Sequence, residues 1–155
     1  MSMLFVKQIK VVLGVLLIAS KLYAWGASGH RIVAAVAQAH LTEETKVWLK
    51  NRFGVENLVW ESTWSDDIRS AKGIKRHTDW HYAHFPESRD HKTHIFQGLA
   101  QSRDDMVRLD DKAARRDALR WYVHLVGDIH QPFHVTSKKL KGANGCLVKF
   151  FTPNR

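Results

Sequence analysis

The sequence predicts an all-α fold, on three observations. Apolar residues recur every three to four positions along most of the chain beyond residue 25. Residues that start and stop helices stand at the ends of those stretches. The strand signal is confined to Leu147-Val-Lys-Phe-Phe151, and no repeat, low-complexity tract or linker breaks the pattern.

The elements follow in order. Gly29 to Ala39 carries Ile32, Val33, Val36 and Ala39 at helical spacing, with Ser28 placed as an N-cap. Thr42-Glu-Glu puts a cap and two acids at the head of a second helix, and Gly54 is positioned to end it. Trp60, Trp64 and Ile68 recur every four residues, which predicts a third helix over Val59 to Arg69 with an aromatic stripe. His81 to Phe85, ahead of Pro86, reads as extended. Two further helices are expected near Ile95 to Arg108 and Lys112 to Ile129. The last sets Leu119, Tyr122, Val123 and Val126 on or beside one face.

The first 24 residues read as a leader. Lys7 and Lys10 precede the apolar run Val11 to Ala19, and a short segment then ends in the small residue Ala24. This is the layout of a secretory signal, and the run is too short to span a bilayer comfortably as a retained anchor. Leu22 is bulkier than the residue usual at its place before the cut. Cleavage after Ala24 would start the mature chain at Trp25. It removes three lysines and no acid, so the formal charge falls from +9 to +6. Residues 25–155 suffice for one domain with a modest core. Cys146 is the sole cysteine, so an internal disulfide is excluded, while all ten histidines lie beyond residue 24. The positive balance suits polyanions such as nucleic acid or anionic lipid, as a weak signal only.

The most informative segment is His124-Leu-Val-Gly-Asp128-Ile-His-Gln-Pro-Phe-His134. Residues four apart on a helix lie one above the other, so His124 and Asp128 can converge on one cation. His134 comes in from another direction, past a proline that ends or kinks the helix. Imidazole with carboxylate suits zinc, and two carboxylate oxygens can bridge two ions. A histidine-rich helix end that caps its own carbonyls is the simpler alternative. Three more segments offer ligands. A processed Trp25-Gly-Ala-Ser-Gly-His30 would present an α-amino nitrogen, the Trp25 carbonyl and an imidazole; as a frayed terminus it would present nothing. Asp66, two residues after Trp64, can turn inward or pair with Arg69 in solvent. His81 lies between Trp80 and Tyr82, where a satisfied core histidine is the ordinary explanation.

Taken together and in this order, Trp-Gly-x-x-Gly-His, Trp-x-Asp-x-x-Arg, Trp-His-Tyr and His-x-x-x-Asp-x-x-x-x-x-His-Val resemble the zinc-dependent S1/P1 nuclease family. The resemblance implies a helical bundle of the phospholipase C/P1 nuclease type, with residues 25–155 as the N-terminal part of the domain. It implies Asp66, His81, His124 and Asp128 as ligands of one zinc. Trp25, His30 and the bridging Asp128 would hold a second, and His134 would belong to a third, more exposed one. Family members run to about twice this mature length, with a later Asn-Leu-His-x-x-Trp-Asp motif. Gly142-Ala-Asn-Gly145 is an imperfect form of the segment that precedes that motif. Two zincs rather than three are therefore expected on this chain.

A secreted or periplasmic endonuclease acting on single-stranded DNA and RNA is the function this resemblance implies, as a monomer without stable membrane association. A zinc pair roughly 3.5–4 Å apart can activate a water for in-line attack, with no side-chain nucleophile needed. Asp67 is a candidate for orienting that water, or else a surface acid. Stacking in an aromatic pocket favours single strands, because only unstacked bases offer a free face. Two alternatives stand beside this reading: a zinc-dependent phospholipase C, which shares the His-x-x-x-Asp-x-x-x-x-x-His spacing, and a metal-binding remnant without activity.

Overall fold

The computed structural model describes residues 26–70, 77–84, 94–136 and 139, and among them every regular element is helical. In chain order these are α1 (Ala27–Ala39), α2 (Glu43–Phe53), α3 (Leu58–Glu61), α4 (Trp64–Ser70), a 3-10 turn at Thr78–His81, α5 (His94–Arg108), α6 (Lys112–Ile129) and a 3-10 turn at Pro132–Val135. The expected leader, Trp25, Phe85, Gly142 to Gly145, Cys146 and the strand at Leu147 to Phe151 lie outside the described residues.

Local chemistry sets most of the boundaries. The Thr42 hydroxyl accepts the Thr45 amide at 3.2 Å, with Glu43 and Glu44 in the first turn of α2 and Lys50 and Arg52 in its last. Gly54 ends α2 in the left-handed conformation, φ 70°, as its amide and that of Val55 return to the Lys50 and Leu49 carbonyls. Asp111 caps α6, accepting the Ala114 amide at 2.7 Å. The expected Ser28 cap is not formed: Gly26 is the N-cap and Ser28 lies within the first turn of α1.

The expected single helix over Val59 to Arg69 is two. Its break is at Ser62–Thr63, where the Asp66 amide bonds to the Thr63 carbonyl at 3.1 Å rather than to Ser62 as in an unbroken helix. The break splits the predicted stripe. Trp64 and Ile68 pack against the core, while Trp60 is 67% exposed beside the Arg31 guanidinium.

α6 runs between two apolar clusters. Leu119 joins Ala34, Leu49, Phe53, Val55 and Leu58 in one. Trp121 and Leu125 join Trp80, Ala83 and Ile95 in the other. The face read from the sequence is only partly covered. Leu119 is buried, but Tyr122, Val123 and Val126 line an apolar cleft shared with α1 and α2. The covered face instead carries Ala118, Trp121, Leu125 and Asp128. α5 lies close along α6 at Gly98, where an added Cβ would stand 2.7 Å from Leu125 and 2.8 Å from the Trp80 ring.

Candidate metal centre

Five described elements each deliver a side chain to one buried point. α6 supplies His124 and Asp128, one turn apart; α1 supplies His30, α4 Asp66, and the two 3-10 turns His81 and His134. Asp128 and His124 are 0% exposed, and His30 and His81 are nearly so.

Asp128 is the hub. Its Oδ2 lies 2.9 Å from His81 Nδ1 and 3.2 Å from His124 Nε2. Its Oδ1 lies 3.3 Å from His30 Nε2 and 3.1 Å from His134 Nδ1. Asp66 stands slightly back, with Oδ1 3.9 Å from both His81 Nδ1 and His124 Nε2 and its charge shared with Arg69 at 2.8 Å. The His124 and His81 nitrogens approach to 3.0 Å, and the His30 and His124 rings stack at 3.8 Å.

Backbone carbonyls fix which nitrogens carry hydrogen. A carbonyl only accepts, so the 2.8 Å contact from His124 Nδ1 to Ser62 O requires an Nδ1–H and leaves Nε2 with its lone pair facing Asp66, His81 and Asp128. His134 likewise donates from Nδ1 to the His81 carbonyl at 3.0 Å, leaving Nε2 for another partner. The electrostatics draw positive charge, a proton or a cation, toward the same point. Burial alone would raise Asp128, but the contacts with His124, His134, His30 and His81 hold it well below the usual carboxylate range. Burial pushes His124 down, and the neighbouring Asp128 and Asp66 carboxylates with the Ser62 carbonyl outweigh it and raise the ring. For His81 burial prevails and the ring is lowered, toward the neutral form that binds metals.

The donor set fits zinc. Nitrogen and oxygen ligands at bonds of 2.0–2.1 Å around a tetrahedral ion stand about 3.4 Å from one another. The spacings of His81 and His124 from Asp66, from Asp128 and from each other run from 2.9 to 3.9 Å. Two overlapping groups have donor atoms mutually within 4.8 Å: Asp66, His81 and His124, and His30, His124 and Asp128. His124 has one lone pair left after its bond to Ser62, so it can serve only one ion. The second group therefore draws on His30, Asp128 and donors other than His124.

Of the residues singled out from sequence, His30, Asp66, His81, His124, Asp128 and His134 are brought together. His134 is itself 6% exposed and approaches Asp128, closer to the hub than a separate exposed site implies. Asp67 is exposed and turned toward Thr63, at 3.5 Å, outside the cluster. Trp25 lies outside the described residues. Sequence reasoning missed the Ser62 carbonyl, a backbone atom that no side-chain pattern marks.

Comparison with known proteins returns one family: the model for S1/P1 nuclease matches residues 25–155. The chain is similar to Nuclease S1 of Aspergillus oryzae, 23% identical over 150 residues, covering 87% of this chain and 52% of that protein. It is also similar to Endonuclease 4 of Arabidopsis thaliana, 26% identical over 160 residues, with 82% and 50% covered. With Nuclease P1 of Penicillium citrinum the identity is 25% over 126 residues, and the shares are 71% and 47%. The chain spans about half the length of these relatives.

Proposed function

From the premise that the chain belongs to the S1/P1 nuclease family, we propose that it is the metal-binding half of an exported, zinc-dependent endonuclease hydrolysing single-stranded DNA and RNA. The observation that carries this reading is Asp128: a wholly buried carboxylate with four imidazole nitrogens within 3.3 Å. Such convergence is expensive without a cation and natural with one.

Asp66, His81, His124 and Asp128 would hold one zinc, and Trp25, His30 and Asp128 a second, with Asp128 as the bridge. His134 would face a third. Zinc, when bound, brings the pKa of water toward neutrality and acts as a Lewis acid toward phosphoryl oxygens. The chain's own part is to orient and exclude. Ser62 holds His124 in the tautomer with Nε2 toward the hub, whereas the His81 carbonyl holds His134 with Nδ1 on the hub side and Nε2 turned to another partner. The buried Trp121 ring stands 5.6 Å from His81 and limits water on that side. Residues 1–24 are read as the export leader; the family match beginning at residue 25 supports that division. No helix among the described residues is long and apolar enough to cross a membrane.

The test is to recover the exported chain, load it with zinc, and offer it single-stranded DNA, RNA and phosphatidylcholine, with Asp128→Asn in parallel. Zinc-dependent cleavage of nucleic acid, lost in Asp128→Asn, is expected. Hydrolysis of phosphatidylcholine alone would overturn the nuclease assignment, and zinc binding without any cleavage would mark a metal-binding remnant.

A further inference from the structure

α6 presents more than two ligands to the break between α3 and α4. Arg116, Arg120, His124 and Asp128 follow at four-residue steps and so form one row along the helix. Glu61, 7% exposed, meets the first two: Arg116 Nη2 donates to Oε1 and Arg120 Nε to Oε2, each at 2.5 Å. The next residue, Ser62, meets the third, its carbonyl accepting from His124 Nδ1. Arg120 is itself held by Asp117 at 2.9 Å and lies over the Trp64 ring. One row of α6 thus grips the last residue of α3 and the first of the break, by a side chain and then by a backbone carbonyl.

We propose that Glu61, clamped by Arg116 and Arg120, is a positioning residue for the metal centre, holding the Ser62 carbonyl where it fixes the orientation and tautomer of His124. The proposal rests on the metal-binding reading above. A two-handed ion pair does this better than an apolar contact because it is directional: both carboxylate oxygens are taken by donors on one helix face, so the break cannot slide along α6 or rotate away. Loss of the pair leaves Ser62 tethered to His124 by one bond, and the ring gains freedom to turn Nε2 from the hub. Outer partners of metal-binding histidines commonly matter by about 10–100-fold in metal affinity.

The experiment compares Glu61→Gln and Arg116→Gln with Leu49→Ala, a truncation in the apolar cluster that does not include Trp121 and Leu125. The readouts are zinc affinity by chelator competition, the His124 Nδ1–H signal in nitrogen-15 NMR, and the melting temperature. Glu61→Gln should weaken zinc binding about tenfold and expose the Nδ1–H to exchange. Leu49→Ala, with an equal or larger loss of melting temperature, should change zinc affinity less than about twofold. If Glu61→Gln and Leu49→Ala move zinc affinity equally at matched stability, Glu61 is only a structural ion pair and the proposal fails. If Glu61→Gln does not fold, Arg116→Gln decides the question by the same criteria, since Arg116 lies nearer the surface. A parent chain that binds no zinc refutes the metal reading instead, and the Nδ1–H comparison still decides the role of Glu61.

Discussion

Gly98→Ala sets two well-measured effects against each other. In the middle of an exposed helix this change is stabilising by roughly 1 kcal/mol, because alanine loses less backbone freedom. In α5 the new methyl would lie 2.7 Å from Leu125 Cδ1 and 2.8 and 2.9 Å from two atoms of the Trp80 ring, whereas ordinary contacts start at 3.4 Å. Relief requires both walls to retreat by roughly half an ångström or more in an interior packed like a crystal. Neither is free to do so. Leu125 has no exposed surface, and Trp80 is backed by the His77 ring stacked at 3.7 Å and by Trp121 at 5.4 Å. Overpacking of this kind costs about 1–3 kcal/mol, and occasionally more. Because both walls are fixed, the upper part of that range applies and the net change is a loss of about 1–2 kcal/mol. On a domain of this size that lowers the melting temperature by roughly 3–10 °C. Leu125 follows His124 and Trp80 precedes His81, so zinc affinity should fall as well. Thermal melts with and without zinc measure both. A Gly98→Ala variant that melts at or above the parent temperature would show that the α5–α6 contact yields, and the packing account of the site would be wrong.

Three further outcomes are expected. Asp66→Asn should lose zinc from the group shared with His81 and His124, whereas Asp67→Asn should not; equal zinc loss in metal counting would return Asp67 to the centre. Burial pushes Glu61 up, but Arg116 and Arg120 outweigh it and hold the carboxyl below its ordinary 4.5. Its contribution is therefore complete above the unfolded value and disappears as pH falls through the lower folded one. The difference in urea midpoint between the parent and Glu61→Gln should be constant near neutrality and vanish in acid, and a pH-independent difference would exclude the ion pair as its source. Extending the mature chain by one residue before Trp25 turns an amine of pKa roughly 7.7–8.0 into an amide that cannot bind zinc at neutral pH. The His30 site should be lost and the His81 site kept; unchanged zinc stoichiometry in the extended chain would rule out the terminal chelate.

What the sequence revealed and what it hid divide along physical lines. Features fixed by neighbours in the chain were legible: the Thr42 cap, the Gly54 stop, the bounds of α6 and the four-residue step from His124 to Asp128. Features fixed by distant partners were not. The four-residue recurrence of Trp60, Trp64 and Ile68 runs straight through the break at Ser62, because the carbonyl that leaves the helical ladder there is drawn out by His124. The exposure of Trp60, apart from Trp64 and Ile68, has the same cause. The row Arg116, Arg120, His124, Asp128 was readable as spacing, yet its first two members had no meaning until Glu61 was found opposite them. His81 could be read as core or ligand from sequence, and in the fold it is buried and also faces the hub.

The depth of Asp128 has a consequence in time as well as in energy. Atoms with no solvent-exposed surface exchange partners only when the surrounding helices part, so turnover of a bound cation would be governed by the frequency of that opening rather than by bond strength. The donors come from segments as distant as His30 and His134. An excursion that uncovers the hub must therefore move at least one of the segments that carry them. Removal by a chelator should accelerate with chelator concentration only up to a plateau, and that plateau is the opening rate of the helices themselves.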